Sequence, residues 1–258
     1  MSRREVARLG GLARQALHGD VGTPGGRRKG GANSLVSHAR LKTKFRRLKP
    51  IRTPSPSRLL AEYLGMVAGD GHIDTYQVTL TTNSETDLQH AKHFAKTASH
   101  LFGVQARISF KTSSKACVVT LNSKTLSDYL QVQGFPKGSK IKLGLPVPRW
   151  ISNDKAFSFA FIRGLFDSDG CVYQDKHLIR GKKYLHIGLA FANNEEHLLE
   201  FFKATLVRAG LRPTQKTKYR IFLRRSADID KYFLFVGTSN RKHMIRYQKF
   251  RRVIRRGA

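Results

Sequence analysis

Two nine-residue segments of this chain share one pattern, and the repeat restricts the folds that the chain can adopt. Tyr63–Gly71 and Ile162–Gly170 each contain an apolar helical run with small residues four positions apart, and each ends in Asp-Gly. Because residues at i and i+4 lie on the same helical face, each segment predicts a helix with a flat stripe that another helix can approach closely. The repeat therefore favours two similar halves over one large domain.

The acidic residue of each motif is the first candidate for chemistry. Asp70 and Asp169 lie at the C-terminal ends of the two predicted helices, so close packing of the helices brings two carboxylates and two negative dipole ends together. These charges repel each other unless a cation is bound, and a hard divalent ion such as Mg²⁺, which takes oxygen ligands, meets the requirement. With the carbonyl oxygens at Gly69 and Ser168 completing the coordination, the motifs predict a metal site for phosphodiester hydrolysis.

The charge of the chain indicates its partner. Lys and Arg number 48 against 17 Asp and Glu, a formal net charge of +31, which attracts polyphosphates and above all nucleic acid. No stretch approaches the roughly 20 apolar residues of a membrane-spanning helix. The basic N-terminus lacks the apolar core of a signal peptide, and two cysteines form no zinc spacing or disulfide framework. We therefore expect an intracellular protein with no membrane partner.

Periodicity predicts one order of elements in both halves: helix, two strands, helix, two strands, helix. The first half extends over 58–150 and the second over 151–258. Residues 1–57 are basic and poor in large apolar side chains, which predicts a mostly disordered extension with a short helix at Ser2–Ala16. We expect this extension to be either a solvated tail or a clamp on nucleic acid. Ser57 is the expected N-cap of the first helix of the first half.

The predicted strands alternate between an apolar face and a polar or basic face. Tyr76, Ile108 and Phe110 are among the residues expected on the apolar side. A β-ribbon fits the major groove of DNA, so the opposite faces are candidates for reading base edges. These candidates are Gln77, Thr79, Thr81, Arg107, Ser109, Lys111, Lys216, Lys218 and Arg220. The basic tail 241–258 is expected to be a final helix or arm laid against phosphates, which adds affinity without sequence information.

At these motifs the chain resembles the LAGLIDADG homing endonucleases, in the single-chain form that carries two motifs. Both nine-residue segments match the motif of the family, and Asp70 and Asp169 fall on its metal-binding acid. The likeness extends over about residues 58 to 250. It implies an α+β protein of two pseudo-symmetric αββαββα halves, whose antiparallel sheets form a saddle over the major groove of a long, asymmetric DNA site. It also implies a monomer that cuts both DNA strands with Mg²⁺, or with another divalent cation such as Mn²⁺ or Ca²⁺.

The resemblance also directs attention to the residues that follow the hairpin next to each motif. The family often places Lys or Gln there to assist the hydrolytic water, and the matching residues here include Asn83 and Asn193. Asparagine can position water but brings no positive charge. Either cleavage is slower, or another basic residue such as Lys111 or Lys216 supplies the charge, and the sequence leaves both possibilities open.

The leading hypothesis from sequence is a site-specific, Mg²⁺-dependent endodeoxyribonuclease associated with intron homing or with a freestanding gene. Two alternatives use the same fold: an RNA maturase that helps an intron to splice, with intron RNA as its partner, and a DNA-binding regulator that no longer cleaves. Retention of both acids argues against the regulator and, more weakly, against the maturase. An intein is not expected, because the chain begins at Met1 and ends in Gly-Ala without splice junctions.

Overall fold

The computed structural model describes residues 2–19, 22–40, 48–179 and 181–257. Contacts divide the chain into two compact units, Met1–Arg47 and Leu48–Ala258.

The first unit contains helix α1 (Arg3–His18) and helix α2 (Pro24–Arg40). Helix α1 begins with a capping box, in which the Ser2 hydroxyl accepts from the Glu5 backbone N–H and the Glu5 carboxylate accepts from the Ser2 N–H. This helix lies where a short helix was predicted. Helix α2 was not predicted, because its glycine-rich sequence carries a low intrinsic helix propensity.

The second unit contains two halves in which the elements follow the same order. The first half comprises α3 (Arg58–Gly69), β1 (Gly71–Ile73), β2 (Gln77–Asn83), α4 (Leu88–Phe102), β3 (Ala106–Phe110), β4 (Ala116–Asn122) and α5 (Lys124–Val132). Two short helices, α6 (Lys140–Leu143) and α7 (Arg149–Ser152), lead to the second half. That half comprises α8 (Lys155–Asp169), β5 (Gly170–Ile179), β6 (Lys182–Ala192), α9 (Glu196–Arg208), β7 (Thr214–Thr217), β8 (Arg220–Leu223), α10 (Ser226–Phe235) and α11 (Arg241–Gly257). The predicted α+β fold and its internal duplication are confirmed.

Each half contains one antiparallel sheet of four strands with the same topology. The strand order is β1-β2-β4-β3 in the first half and β5-β6-β8-β7 in the second. The hairpin after the motif differs in length, because β1 and β2 pair only from Gly71 to Ile73, whereas β5 and β6 pair from Gly170 to Ile179. The two sheets thus have the same strand order, but the hairpin that follows the motif is longer in the second half.

Helices α3 and α8 lie in the centre of the unit, and every residue of α3 from Leu60 to Ala68 is buried. Ser57 caps α3 as predicted, accepting a hydrogen bond from the Leu60 backbone N–H. The compact unit starts before the predicted boundary, since the Arg52 backbone N–H donates to the Phe102 carbonyl oxygen. No helix in the described ranges is long and apolar enough to cross a bilayer.

Four residues of the predicted strands depart from the prediction. Tyr76 precedes β2 and is 66% exposed, and Phe110, at the last position of β3, is 60% exposed although its register partner Cys117 is buried. Lys111 follows β3, and Lys218 lies in the turn between β7 and β8. In each case the strand is shorter than its pattern suggests, and side chains at strand ends are not covered by the packed helices.

Candidate active site

The two motif helices approach each other through glycine, as the small-residue stripe predicts. A Cβ atom at Gly65 would lie 2.1 Å from the Phe161 carbonyl oxygen, and one at Gly164 would lie 2.2 Å from the Glu62 carbonyl oxygen. Real Cβ atoms do not come this close to backbone atoms, so only glycine fits either position. The lack of a side chain at Gly65 and Gly164 therefore allows the short distance between α3 and α8.

The C-terminal ends of the same helices meet, which places the two motif acids at one site. Asp70 caps α3, and Asp169 is the last residue of α8. A Cβ at Gly69 would lie 2.5 Å from the Ser168 Cβ and 3.2 Å from the Asp169 Oδ2, so the second acid lies directly against the first motif. The structure therefore brings together all four residues predicted to hold a metal.

Burial raises the pKa of both carboxylates of the pair, and the charge of Asp169 also acts on Asp70. Burial, together with the charge of Asp169, raises the pKa of Asp70 to about 7. Burial also raises the pKa of Asp169, although a hydrogen bond from Asn193 and the charge of Lys140 act in the opposite direction. The acid pair thus carries negative charge that its surroundings compensate only in part.

Lys140, in the connection between the halves, supplies a positive charge at this site. Its Nζ donates to the carbonyl oxygens of Val67 (3.1 Å), Ala68 (2.8 Å) and Gly69 (2.5 Å), so it caps the last turn of α3. Burial lowers the pKa of Lys140, and the two aspartates counteract this effect. Sequence reasoning missed this residue, because nothing in its local pattern distinguishes it from the other lysines. Neither Lys111 nor Lys216 has a described contact with the acid pair.

The two asparagines at the hairpin ends have different partners. Asn193 Nδ2 donates to Asp169 Oδ2 at 2.7 Å, while its Oδ1 accepts from the Glu195 backbone N–H. Asn83 Oδ1 instead accepts from two backbone N–H groups in the turn that follows it. Among the hydrogen bonds of the described residues, Asn193 donates to a carboxylate of the acid pair and Asn83 does not. The two motif acids are therefore held differently.

The donor atoms at the crossing fit a hard divalent cation. They are two carboxylates and the Ser168 hydroxyl oxygen, which is buried without a hydrogen-bond partner among the described residues, whereas the Gly69 carbonyl oxygen, a predicted ligand, accepts from Lys140 Nζ. Within 2–19, 22–40, 48–179 and 181–257, no three His, Cys, Asp or Glu side chains form a metal-binding group. Oxygen-only donors with two carboxylates suit Mg²⁺, which commonly keeps water and phosphate oxygens as its other ligands. The same set does not suit zinc, which prefers nitrogen and sulfur.

A cavity of about 540 Å³ opens beside the acid pair on the side of the second half. Asp169 and Asn193 line it together with Lys140 and, from the second sheet, Arg220. Two basic residues thus line the same space as two carboxylates, since Glu195 also lines the cavity. An anionic group such as a phosphate entering this cavity would be attracted by both cations.

The polar candidates of the first sheet share the face turned away from the core. The register aligns Thr79 with Thr120 and Thr120 with Arg107, and His72 pairs with Thr79 at the edge. Gln77, Thr81 and Ser109 occupy alternate positions in the same strands, whereas Lys111 follows β3. Sequence reasoning did not include His72 and Thr120 among the residues of this polar face, although Thr120 alternates with the buried residues of β4.

The second sheet presents a different surface on its corresponding face. Here one row consists of Cys171, Ala190, Phe222 and Thr214. Arg220, at the start of β8, pairs with Ala192 next to the acid pair, and Lys216 lies in β7. The two faces therefore differ in chemistry even though the strands correspond.

Buried polar contacts behind the crossing join the two halves. Glu62 accepts from Arg163 Nη1 at 3.1 Å and contacts His93 Nε2 at 2.9 Å, and the Asn240 amide donates to Asp87 at 2.8 Å. Asp167, also buried, accepts from the Thr238 hydroxyl and the Ser239 backbone N–H. The contacts of Arg163 with Glu62 and of Asn240 with Asp87 join the halves, on whose relative placement the acid pair depends.

Comparisons with known proteins found matches in sequence and in structure. A family model described as a LAGLIDADG-like domain matches residues 156–247. The replication factor C small subunit of Methanocaldococcus jannaschii is 28% identical over 159 residues, which cover 56% of this chain and only 8% of the length of that relative.

Solved structures with similarity to the chain have low sequence identity. Mesophilic variants of the homing endonuclease I-DmoI are 19% identical, with 70% of this chain and 95% of that chain covered and a TM-score of 0.46. I-DmoI in complex with DNA and Mn is 19% identical, with 70% and 96% covered and a TM-score of 0.44. Full-length WhiA from Thermatoga maritima is 16% identical, with 78% and 63% covered and a TM-score of 0.47.

Proposed function

Because residues 156–247 form a LAGLIDADG-like domain and the first half repeats its strand topology and its Asp-Gly helix end, we propose that the protein is a LAGLIDADG-type endonuclease. It hydrolyses phosphodiester bonds in both strands of a long double-stranded DNA target with a divalent cation. The observation that carries this proposal is the meeting of Asp70, Asp169 and Lys140 at one end of the helix crossing. Cleavage at a long, rarely occurring site is the activity that homing of an intron or a freestanding gene requires.

Each residue at the crossing has a distinct role in this proposal. Asp70 and Asp169 hold the cation, and the hydrogen bond from Asn193 orients Asp169. A bound Mg²⁺ or Mn²⁺ supplies Lewis-acid stabilisation of phosphate oxygens and activation of water. Lys140 neutralises part of the charge of the acids and provides a cation for an incoming phosphate, and Arg220 adds a second one across the cavity.

The sheet faces supply recognition. In the first sheet, Thr79, Thr120 and Arg107 present hydrogen-bonding groups in one row, and arginine is well suited to guanine in the major groove. In the second sheet, Ala190 and Phe222 occupy one row, and such apolar groups suit the thymine methyl. A single chain with two unlike faces is expected to read an asymmetric target as a monomer.

Cleavage of a plasmid library with randomised inserts tests the proposal and requires no assumption about the target sequence. With Mg²⁺, the wild-type protein should produce double-strand cuts within one recurring sequence, and sequencing of the new ends identifies it. EDTA and the Asp169→Asn variant should abolish the cuts. Asp74→Asn is the matched control, because it neutralises an exposed aspartate in the turn after β1 and should cleave like the wild type.

DNA-binding and splicing assays alongside the cleavage experiment separate the other uses of this fold. Site-specific binding by the wild type without Mg²⁺-dependent cuts would contradict the endonuclease and leave a DNA-binding regulator. Rescue of splicing of an intron transcript, without DNA cleavage, would instead support a maturase. Cuts that persist in Asp169→Asn would show that the acid pair does not perform the reaction.

A further inference from the structure

Helix α11 packs beside the edge of the second sheet that lies next to the acid pair. Strand β5 is the outermost strand of that sheet, and it begins at Gly170, directly after Asp169. Arg246 Nη1 donates to the Val172 carbonyl oxygen at 3.2 Å and lies 3.7 Å from the Cys171 Sγ. One basic residue of the helix thus binds the free edge of β5.

Several contacts fix the orientation of the helix. Phe250 and His243 are fully buried, and the Tyr247 hydroxyl donates to Asp230 Oδ1 at 2.8 Å. Near its first turn, Lys242 Nζ lies 2.6 Å from Asp87 Oδ1 of the first half. Because one side of α11 is held in this way, the opposite side faces solvent in a defined direction.

The solvent side carries positive charge. Arg241, Lys249 and Arg252 are exposed, and their spacing of eight and three residues places them on one helical face. A cleft of about 360 Å³ separates this part of the helix from β5, and Lys249 and Arg246 line it on the helix side. The basic side of α11 therefore borders the strand.

The strand side of this cleft belongs to the sheet face proposed to bind DNA. Cys171 and Tyr173 line the cleft, and they alternate with Val172, which is buried in the core. Alternation in a strand directs neighbouring side chains to opposite faces, so Cys171 and Tyr173 lie on the face away from the core. The basic side of α11 is thus continuous with the outer face of the second sheet.

We propose that α11 binds the phosphate backbone of duplex DNA that lies on the second sheet, through Lys249 and Arg252. This proposal rests on the proposed function of the sheet faces and extends it beyond the strands. Exposed ammonium and guanidinium groups displace counterions from phosphates, which strengthens binding without reading sequence. Duplex DNA is the favoured partner because the helix borders the sheet face that begins at Asp169.

Salt-dependent binding to a short DNA duplex of arbitrary sequence tests this role. The double variant Lys249→Gln/Arg252→Gln is compared with Lys92→Gln/Lys96→Gln, which removes two exposed charges from α4. Helix α4 packs its buried residues toward the core side of the first sheet, so its exposed lysines face away from the DNA face. Both variants have the same net charge, and any general electrostatic effect cancels in the comparison.

The α11 variant should lower the magnitude of the slope of log affinity against log salt by nearly 2, since each phosphate contact contributes about 0.9. Between 50 and 200 mM salt, its affinity should therefore fall about tenfold less than that of the wild type. The α4 control should keep the wild-type slope. Equal slopes for the two double variants would overturn the proposal, and an effect seen only with duplex RNA would overturn the assignment to DNA.

Failure of this proposal is distinguishable from failure of the proposed function. If the wild type makes no Mg²⁺-dependent cuts but the α11 variant shows the reduced slope, the endonuclease proposal fails and the phosphate contact stands. If the wild type cuts specifically and all slopes agree, the phosphate contact fails alone. The α11 variant should also cut the same sequence as the wild type, because phosphate contacts specify position and not base identity.

Discussion

Asp70→Asn is expected to stabilise the metal-free protein although it abolishes cleavage. Burial and the charge of Asp169 raise the pKa of Asp70 from 3.8 to about 7, so the folded protein disfavours the ionised carboxylate. A shift of about three units corresponds to at most about 4 kcal/mol, and structural relaxation reduces this value. At pH 8 in EDTA, we expect the neutral amide to raise the free energy of unfolding by about 2 to 4 kcal/mol.

The sign of the pH dependence follows from the raised pKa. Between about pH 4 and pH 7, the folded state binds more protons at Asp70 than the unfolded state does, so the stability of the wild type falls as pH rises through this range. Below pH 4 the carboxylate is protonated in both states. The difference between the wild type and Asp70→Asn should therefore be near zero at pH 4 and reach its full size above pH 7.

Urea denaturation of both proteins across this pH range measures the effect directly. Glu200→Gln is the matched control, because it removes an exposed carboxylate of α9 and leaves the acid pair intact. Thermal midpoints at pH 8 should rise by about 5 to 15 °C for Asp70→Asn, at about 2 to 4 °C per kcal/mol. Addition of Mg²⁺ should stabilise the wild type more than the variant. A stability gain that is absent at pH 8, or equal at all pH values, would refute the reasoning.

Further substitutions test the other contacts of the site. Lys140→Met should lower the free energy of unfolding in EDTA by about 3 kcal/mol, since it leaves buried charges unpaired; unchanged urea midpoints would contradict this. Gly164→Ala should prevent close packing of α3 and α8, because its Cβ would lie 2.2 Å from a backbone oxygen. Gly11→Ala is the control, because a Cβ there meets open space. The yield of soluble protein and the melting temperature should fall for Gly164→Ala and not for Gly11→Ala. Asn193→Ala removes the hydrogen bond to Asp169 and should slow one strand cut, so that nicked plasmid accumulates; equal rates for both strands would argue against this role.

Local patterns predicted much of the fold because they report local physics. Ser57 caps α3 as its side chain and position indicate, and period-two alternation identified the buried faces of β2 and β6. The same reasoning predicted that Tyr76 and Phe110 are buried, whereas both are exposed, because alternation does not indicate where a strand ends. Helix α2 was missed because its glycine-rich sequence has a low intrinsic helix propensity.

The sequence by itself determined that the fold is duplicated and that each half contributes an acid at a helix end. A motif that occurs twice, with glycine at the positions where two helices must approach, can be recognised in the sequence without coordinates. Only the tertiary structure identified Lys140 as a cation of the site, because its contact with Gly69 joins residues 71 positions apart. It also showed that Asn193 binds an acid whereas Asn83 binds backbone. Such contacts depend on how the connection and the hairpins pack around the crossing, and periodicity within a segment carries no information about that packing.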